Sequence, residues 1–485
     1  MMQKIKIVME KPLAWFIVLL FLGLLVRLYK LDSPIADWHS WRQADTASVT
    51  RIYADEGLNM LLPRYYDISK IQTGFINIYG YRMVELPLFN LLHLINYRIL
   101  GSVLSFDATG RLTTVFISLI TALALFAIGE RTIGKFGGVL TAFFFLFIPY
   151  SIYYSRVILP DPLAVCFGTL GLVIFLQYLD KQKNRYLYLS AVLFGLSLLI
   201  KPFLAVYILV PLYLLIGSKG HNIFLNSKVF IKYLFALFIV FVPFFLWRAW
   251  INNFAVGIPM FEWAFNGDMI RFRPAFWRWI FAERIGNLIL GIWGLIPFAF
   301  GVVFAKGKKQ YSNIAFLGSV ILYIAIIATA SVKHDYYQIP LIPALALVTA
   351  QGTINVWKLK KNYVGKFLLM FSVLMMLFIG WYQIKEYYKI NRPEMMIVGE
   401  AVQRLIPKDA KIIASLSGDT ALLYQTKRFG WPVVDNDIKR LIEWGAQYYV
   451  SINFADPDTI AFEKRFETVE KTQDYIILNL KKEIK

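Results

Sequence analysis

Continuous apolar stretches separated by short basic turns set the pattern of this chain. They lie at residues 14–29, 111–129, 136–153, 163–179, 187–200, 203–217, 229–247, 285–305, 313–331, 337–355 and 366–383. Most are long enough to cross hydrocarbon as a helix, and none shows the 3.6- or 2-residue alternation of a soluble core. The pattern predicts an α-helical polytopic membrane protein of about eleven spans. Lys201-Pro202 separates two short runs, so these are the least regular of the set. Lys4, Lys6 and Lys11 precede the first run as in a signal peptide, but no small-residue cleavage site follows, and the reading is a retained first helix.

The turns between runs orient the chain. With the N-terminus inside, cytoplasmic turns carry Arg131 and Lys135; Lys181, Lys183 and Arg185; Lys219, Lys228 and Lys232; Lys306, Lys308 and Lys309; and Lys358, Lys360, Lys361 and Lys366. The short turns assigned outside hold Arg156, Lys201 and Lys333, the asymmetry expected of the positive-inside rule. Three longer segments then fall outside: 30–110, 248–284 and the tail after about residue 385. The first contains amphipathic stretches, Thr46–Leu62 and Glu85–Leu100, suited to lying along a membrane surface.

From Lys385 the continuous apolar character is lost, which divides the chain into a transmembrane module at 1–384, with 30–110 as its first outer loop, and a small extracytoplasmic α/β domain at 385–485. Helix is expected at Glu394–Ile406 and Thr420–Gln425, and strand at Lys411–Leu416, Gln447–Ile452 and Tyr475–Leu480. No glycine pattern for nucleotide binding is present there, so a lid or an acceptor-docking role is expected of it.

Composition agrees with lipid as the main solvent: 58% of residues are hydrophobic and 17% charged. The net charge of +20 sits largely in the turns, which removes the case for a nucleic-acid partner. Cys166 is the single cysteine and the four histidines are scattered, so neither an intrachain disulfide nor a structural zinc site is expected. His93 and His221 read as structural. The outer loops are also basic, through Arg51, Arg64, Lys70, Arg82, Arg271, Arg273, Arg278 and Arg284. An anionic lipid substrate or ordinary head groups would each account for this.

Candidate chemistry gathers at the outer ends of the spans. The segment Asp37-Trp38-His39-Ser40-Trp41-Arg42-Gln43-Ala44-Asp45-Thr46 combines carboxylates, aromatic rings, imidazole and guanidinium. Aromatics stack on sugar rings, Arg forks onto phosphate and Asp accepts a hydroxyl proton; an interfacial aromatic belt with snorkelling Arg would look similar. Asp161, in Arg156-Val157-Ile158-Leu159-Pro160-Asp161-Pro162, lies between apolar runs and needs a partner or a cavity, or else caps a helix before Pro. Lys333-His334-Asp335-Tyr336-Tyr337 could hold a lipid-borne phosphate or form a plain interfacial turn. Glu85 and Arg111 complete the set, with surface-helix anchoring as the alternative.

Taken in order, Arg42-Gln43-Ala44-Asp45-Thr46-Ala47, Glu85-Leu86-Pro87-Leu88, Arg111, Arg156 with Pro160-Asp161-Pro162, and Lys333-His334-Asp335-Tyr336-Tyr337 followed by Pro340 and Pro343 resemble the GT-C membrane glycosyltransferases. The likeness is to their family 39 group of protein O-mannosyltransferases and aminoarabinose-lipid A transferases, over roughly residues 14–385. It implies a polyprenyl-monophosphate sugar donor, inversion at the anomeric carbon, no nucleotide, and an acceptor hydroxyl on a lipid, glycan or protein at the outer face of the cytoplasmic membrane. It implies Asp45 as general base. Arg42, Lys333, His334 and Tyr337 would neutralise the leaving phosphate, with His39, Trp41, Glu85, Arg111, Arg156 and Tyr336 completing the donor site. Asp161 would position the acceptor or tune Asp45, and all these groups would meet in one outer pocket.

The chain departs from the family pattern at Thr46, where relatives often carry Glu, and at Glu85, where many carry Lys. No cofactor is expected; Glu85 could help hold a divalent cation, for which Asp45, Glu85 and Asp161 are the available oxygen ligands. Competing readings are a lipid-linked saccharide transporter or flippase, an oligosaccharide ligase with a diphosphate donor, and a non-catalytic scaffold. A transporter would place its charges near mid-membrane and often show paired halves. Here the ionisable residues gather at one face and no repeat is seen.

Overall fold

The computed structural model describes residues 12–219, 227–359 and 362–484. The expectations placed on Lys4, Lys6 and Lys11, on His221 and on Lys360 and Lys361 lie outside the described residues. Two compact units make up the chain: Met1–Leu31, Leu112–Arg248 and Phe261–Glu386 form the first, and Asp32–Arg111, Ala249–Met260 and Tyr387–Lys485 the second.

The first unit is helical, and every apolar run of the sequence carries helix. Among the described residues five helices, Phe106–Ile133, Asp161–Lys181, Ser227–Gly257, Asp335–Trp357 and Tyr363–Tyr388, are long and apolar enough to cross a membrane. Others are shorter or broken where the sequence shows a single run. The 136–153 run divides into Lys135–Phe147 and Pro149–Tyr154, because Pro149 pushes Ile148 out of helical geometry. The 285–305 run divides into a π-helical stretch Trp279–Ile289 and a helix Leu295–Val303, with Gly291 and Ile292 both at positive φ between them.

Burial sorts these helices. In Asp335–Trp357, 89% of the most apolar window is buried, against 11% in Ser227–Gly257 and 22% in Tyr363–Tyr388. The last two expose Phe238, Phe245 and Leu246, and Phe367, Leu374 and Phe378. Helices apolar on all sides and unburied within the protein need hydrocarbon around them, and the chain is a multi-pass membrane protein.

Hydrocarbon supplies no hydrophobic drive for one helix to join another, so contact depends on close backbone approach. Leu295–Val303 lies so near Ile342–Trp357 that a Cβ on Gly352 would fall 1.8 Å from the Pro297 carbonyl oxygen, and one on Gly301 2.0 Å from that of Val348. Polar glue supplements this packing. Arg27, fully buried at the end of helix Pro12–Arg27, donates to Ser155 Oγ at 2.6 Å and to the Gly23 and Leu146 carbonyls at 2.9 Å.

The second unit combines the first loop with the tail. Strands β1 (Lys411–Ser415), β2 (Gly430–Trp431), β3 (Ala446–Ser451), β4 (Phe466–Lys471) and β5 (Ile476–Glu483) form one sheet in the order β2-β1-β3-β5-β4. β1 is parallel to β2 and β3, while β5 is antiparallel to β3 and β4. The core of Ile413, Trp431, Leu441, Tyr449 and Leu478 also takes in Ile68 from the first loop. Ile68 N–H donates to the Gly430 carbonyl and Gly430 N–H to that of Tyr66, both at 2.9 Å. Gly430 has to be glycine, since a Cβ there would meet the Ile412 carbonyl oxygen at 1.8 Å.

One expectation needs correcting. The stretch Thr46–Leu62 does not lie along a surface: its helix is Ser40–Glu56, and Arg42 to Thr50 are buried within the unit. Polar partners from the rest of the first loop and from the tail cover it. The second amphipathic stretch is helix Leu88–Leu100, which buries Asn90, His93 and Leu94 and exposes Leu92, Ile95 and Ile99.

Gly352→Leu should destabilise the folded protein by about 1–3 kcal/mol or more, the cost of forcing packed backbones apart. Thermal unfolding in detergent checks this, and an unchanged Tm would show that the two helices can separate freely.

Candidate functional site

Polar side chains on one buried helix organise the second unit. His39, with a left-handed backbone (φ 54°), sets the start of Ser40–Glu56. One turn into the helix, Asp45 is 1% exposed. Its Oδ2 takes a hydrogen bond from Gln72 Nε2 at 3.0 Å and an ion pair from Arg82 at 3.3 Å; its Oδ1 accepts from the Thr420 hydroxyl at 2.7 Å. Arg82 also donates to Gln72 Oε1 at 3.1 Å, so carboxylate, amide and guanidinium hold one another. Desolvating an ion costs several kcal/mol, and such mutual satisfaction is what permits the burial.

Two further ion pairs flank it. Arg42 reaches Glu85 Oε1 at 3.4 Å. Arg111, fully buried, pairs with Asp37 at 3.2 Å, and Gln43 closes the triangle by donating to Asp37 at 2.7 Å and accepting from Arg111 at 3.3 Å. Arg111 also binds the Ser33 and Pro34 carbonyls, so it is a positioning residue for the segment that enters the helix. A fourth carboxylate, Asp67, is raised to about 7, mainly by burial with Asp45 contributing, against the Ser69 hydrogen bonds and Arg82 that lower it. His93 is lowered to about 3 by burial and is neutral, with Nε2 at 3.1 Å from the Phe106 carbonyl.

An open cavity of about 300 Å³ adjoins this network, lined by Trp38, His39 and Trp41 from the first loop and by Asn391, Arg392 and Asp419 from the tail. Burial, and secondarily Asp45, raise the Asp419 carboxyl above its ordinary value; the Ala421 N–H, Arg392 and the Ser40 hydroxyl pull the other way. Trp38 is held by stacking on Tyr387 at 4.7 Å.

The first unit carries the remaining candidates. Asp161 opens helix Asp161–Lys181 and pairs with Lys201 at 2.6 Å, and the Lys201 ammonium lies 4.7 Å from the centre of the Tyr337 ring. The turn bearing Tyr337 is pinned from behind: the Tyr154 hydroxyl donates to Asp335 Oδ1 and the Tyr150 hydroxyl to the Asp335 carbonyl, both at 2.6 Å. Lys333, exposed, stands over Trp263 at 5.8 Å, and His334 stacks on Tyr336 at 5.5 Å. Tyr336 and Arg156 are buried, Arg156 donating to the Lys30 carbonyl.

His39, Trp41, Arg42, Asp45, Glu85 and Arg111 thus share the second unit, while Arg156, Asp161, Lys333, His334, Tyr336 and Tyr337 lie in the first. Sequence reasoning did not single out Gln72, Thr420 or Lys201 as partners of the carboxylates. Lys201 alone had a usable signal, a cation between two apolar runs. Among the described residues no three of His, Cys, Asp and Glu gather as metal ligands.

Residues 87–247 match the family described as dolichyl-phosphate-mannose-protein mannosyltransferase. No curated protein matches the sequence. ArnT from Cupriavidus metallidurans in the apo state is similar with a TM-score of 0.65 at 14% identity, over 96% of this chain and 98% of that one. The same protein bound to undecaprenyl phosphate gives 0.61 at 11% over the same shares. The archaeal oligosaccharyltransferase AglB from Archaeoglobus fulgidus, in complex with an inhibitory peptide and a dolichol-phosphate, gives 0.57 at 12%, over 94% of this chain and 72% of that one. At such identities the likeness establishes a shared fold along nearly the whole chain.

Arg111→Met should cost about 3–5 kcal/mol, because it strands the Asp37 charge in the interior; chemical denaturation of the variant measures it, and a loss below 1 kcal/mol would mean that water reaches the pair. For Asp67 the folded-state value lies above the unfolded one, so its contribution to stability is present below about pH 4 and is lost as pH rises to about 7. Asp67→Asn should therefore gain stability relative to the parent between pH 5 and pH 8, by at most about 4 kcal/mol. Unfolding midpoints at the two pH values check this, and a flat difference would show Asp67 already ionised.

Proposed function

We propose that this chain, which has the GT-C fold of membrane glycosyltransferases, moves a sugar from a polyprenyl-monophosphate donor to an acceptor hydroxyl. The observation that carries the reading is the state of Asp45: Arg82 and Gln72 fix one carboxylate oxygen, and a hydroxyl donates to the other at 2.7 Å. A general base needs that relation to the hydroxyl it deprotonates. The acceptor hydroxyl takes the place held by Thr420. Its oxygen bonds to the anomeric carbon as the bond from that carbon to the phosphate oxygen breaks, with inversion; its proton passes to Asp45 and the polyprenyl phosphate leaves.

Negative charge develops on the departing phosphate, where preorganised donors contribute most. Lys333, His334 and Tyr337, which share one turn of the first unit, take that role. Lys333 is exposed on a pinned turn, free to follow a mobile lipid head group, whereas Arg42 is tied to Glu85. Asp161 acts through Lys201, fixing the ammonium beside Tyr337. Arg111 and Arg156, both buried on backbone carbonyls, shape the backbone. The asymmetry of the basic turns supports a transfer, and a tail domain, on the extracytoplasmic side of the cytoplasmic membrane.

Purified protein supplied with a radiolabelled polyprenyl-phosphate sugar and a membrane extract as acceptor tests the assignment. Asp45→Asn should lower transfer by at least about 10²-fold and, because it strands the buried Arg82 charge, lower Tm as well, so transfer is compared on folded protein below the variant's midpoint; activity retained in that variant rejects Asp45 as the base. Lys333→Ala and His334→Ala should each raise the donor KM about tenfold, and an unchanged KM removes them from the phosphate site.

A further inference from the structure

The cavity between the first loop and the tail has no part in the roles given to Asp45, yet it belongs wholly to the second unit and adjoins the same network. Its two walls differ in chemistry. On one, Trp38 and Trp41 offer flat apolar rings; the Trp38 ring is fixed by Tyr387 behind it and remains 40% exposed. His39 is held beside them by a left-handed backbone, a conformation seldom kept without cause in a residue other than glycine. On the other, Asn391, Arg392 and Asp419 set out amide, guanidinium and carboxylate groups alongside the apolar Met395 and Leu416.

Flat rings and planar donors and acceptors lining one cavity suit a molecule with an apolar face and an equatorial belt of hydroxyls. The volume of about 300 Å³ lies at the small end of ligand sites and admits a sugar ring. Charge argues against an anion. Arg392 shares the lining with two carboxylates, Asp419, with which it interacts, and Asp37, which is already paired with Arg111. With Asp37 paired, Arg392 and Asp419 balance and leave no net attraction for a phosphate or an acidic sugar, whereas neutral hydroxyls can both donate to Asp419 and accept from Arg392.

We propose that this cavity is a saccharide subsite that holds an uncharged sugar ring of the acceptor, which makes the acceptor a glycan or glycolipid. The proposal rests on the glycosyl-transfer reading given above, and it assigns His39 and Trp41 to the acceptor in place of the donor. Thr420 links the two places, since its hydroxyl binds both Asp45 Oδ1 and the Trp41 carbonyl, the latter at 3.1 Å.

Saturation-transfer NMR on the full chain in detergent, with methyl glycosides of glucose, galactose, mannose and N-acetylglucosamine, reads occupancy directly. At least one glycoside should bind with millimolar affinity, and inorganic phosphate should not displace it. Arg392→Ala, at an exposed position, and Asp419→Asn, which keeps an oxygen for the Ala421 N–H, should each weaken binding at least about tenfold. Asp45→Asn should bind the glycoside as the parent does. Absence of binding by the folded parent, parent-like binding by both cavity variants, or displacement by phosphate would each overturn the subsite. A cavity that fails while Asp45→Asn still abolishes transfer leaves the catalytic reading standing; glycoside binding alongside full transfer by Asp45→Asn rejects the base and keeps the cavity.

Discussion

Charge removed from water must be held by opposite charge or by carbonyls, and this constraint orders both units. Asp45 is fixed by Arg82, Asp37 by Arg111, Glu85 by Arg42 and Asp161 by Lys201. Arg27 and Arg156 use backbone carbonyls instead. Such pairs add little net stability relative to an apolar core, but breaking one leaves an uncompensated ion. They therefore specify geometry strictly. The candidate carboxylates have one orientation each because any other leaves a charge unpaired.

Function follows from where that strictness is relaxed. Asp45 has one oxygen bound to a cation and an amide and the other to a single neutral hydroxyl. A neutral hydroxyl can be exchanged for another of similar geometry at small cost, whereas the Arg82 contact cannot. A contrast of the same kind separates Lys333, exposed on its turn, from Arg156, buried on a carbonyl. Sites that exchange ligands use the first arrangement, and scaffolds use the second.

Lipid imposes a different rule on the helical unit. With no water to expel, helices meet through glycines whose Cβ positions are occupied by a neighbour's backbone, as at Gly301 and Gly352. The same helix, Ile342–Trp357, continues from the turn that bears Tyr336 and Tyr337. Tight packing below and the Tyr150 and Tyr154 hydrogen bonds beside it hold that turn as a fixed platform. In the second unit the equivalent fixation comes from Ile68 and Gly430, which join the first loop to the edge of the sheet.

Much of this was legible in the sequence. Continuous apolar runs located the helices because long apolar helices are stable only in hydrocarbon. Boundary and turn signals placed β1 at 411–416, found at Lys411–Ser415, and a helix at 394–406, found at Glu394–Leu405. The clustering of Asp37 to Thr46 marked a region of chemistry, since such a density of polar groups beside a span needs partners. Tertiary structure alone decided who those partners are. Nothing local ties Asp45 to Thr420, Asp161 to Lys201 or Ile68 to Trp431, and the helix starting at Ser40 shows almost no apolar periodicity because Arg42 to Thr50 are all buried, polar and apolar alike, on every side of it. Solvent preference is a property of a segment and is written in its composition; ion pairing is a property of distance, which exists only once the chain has folded.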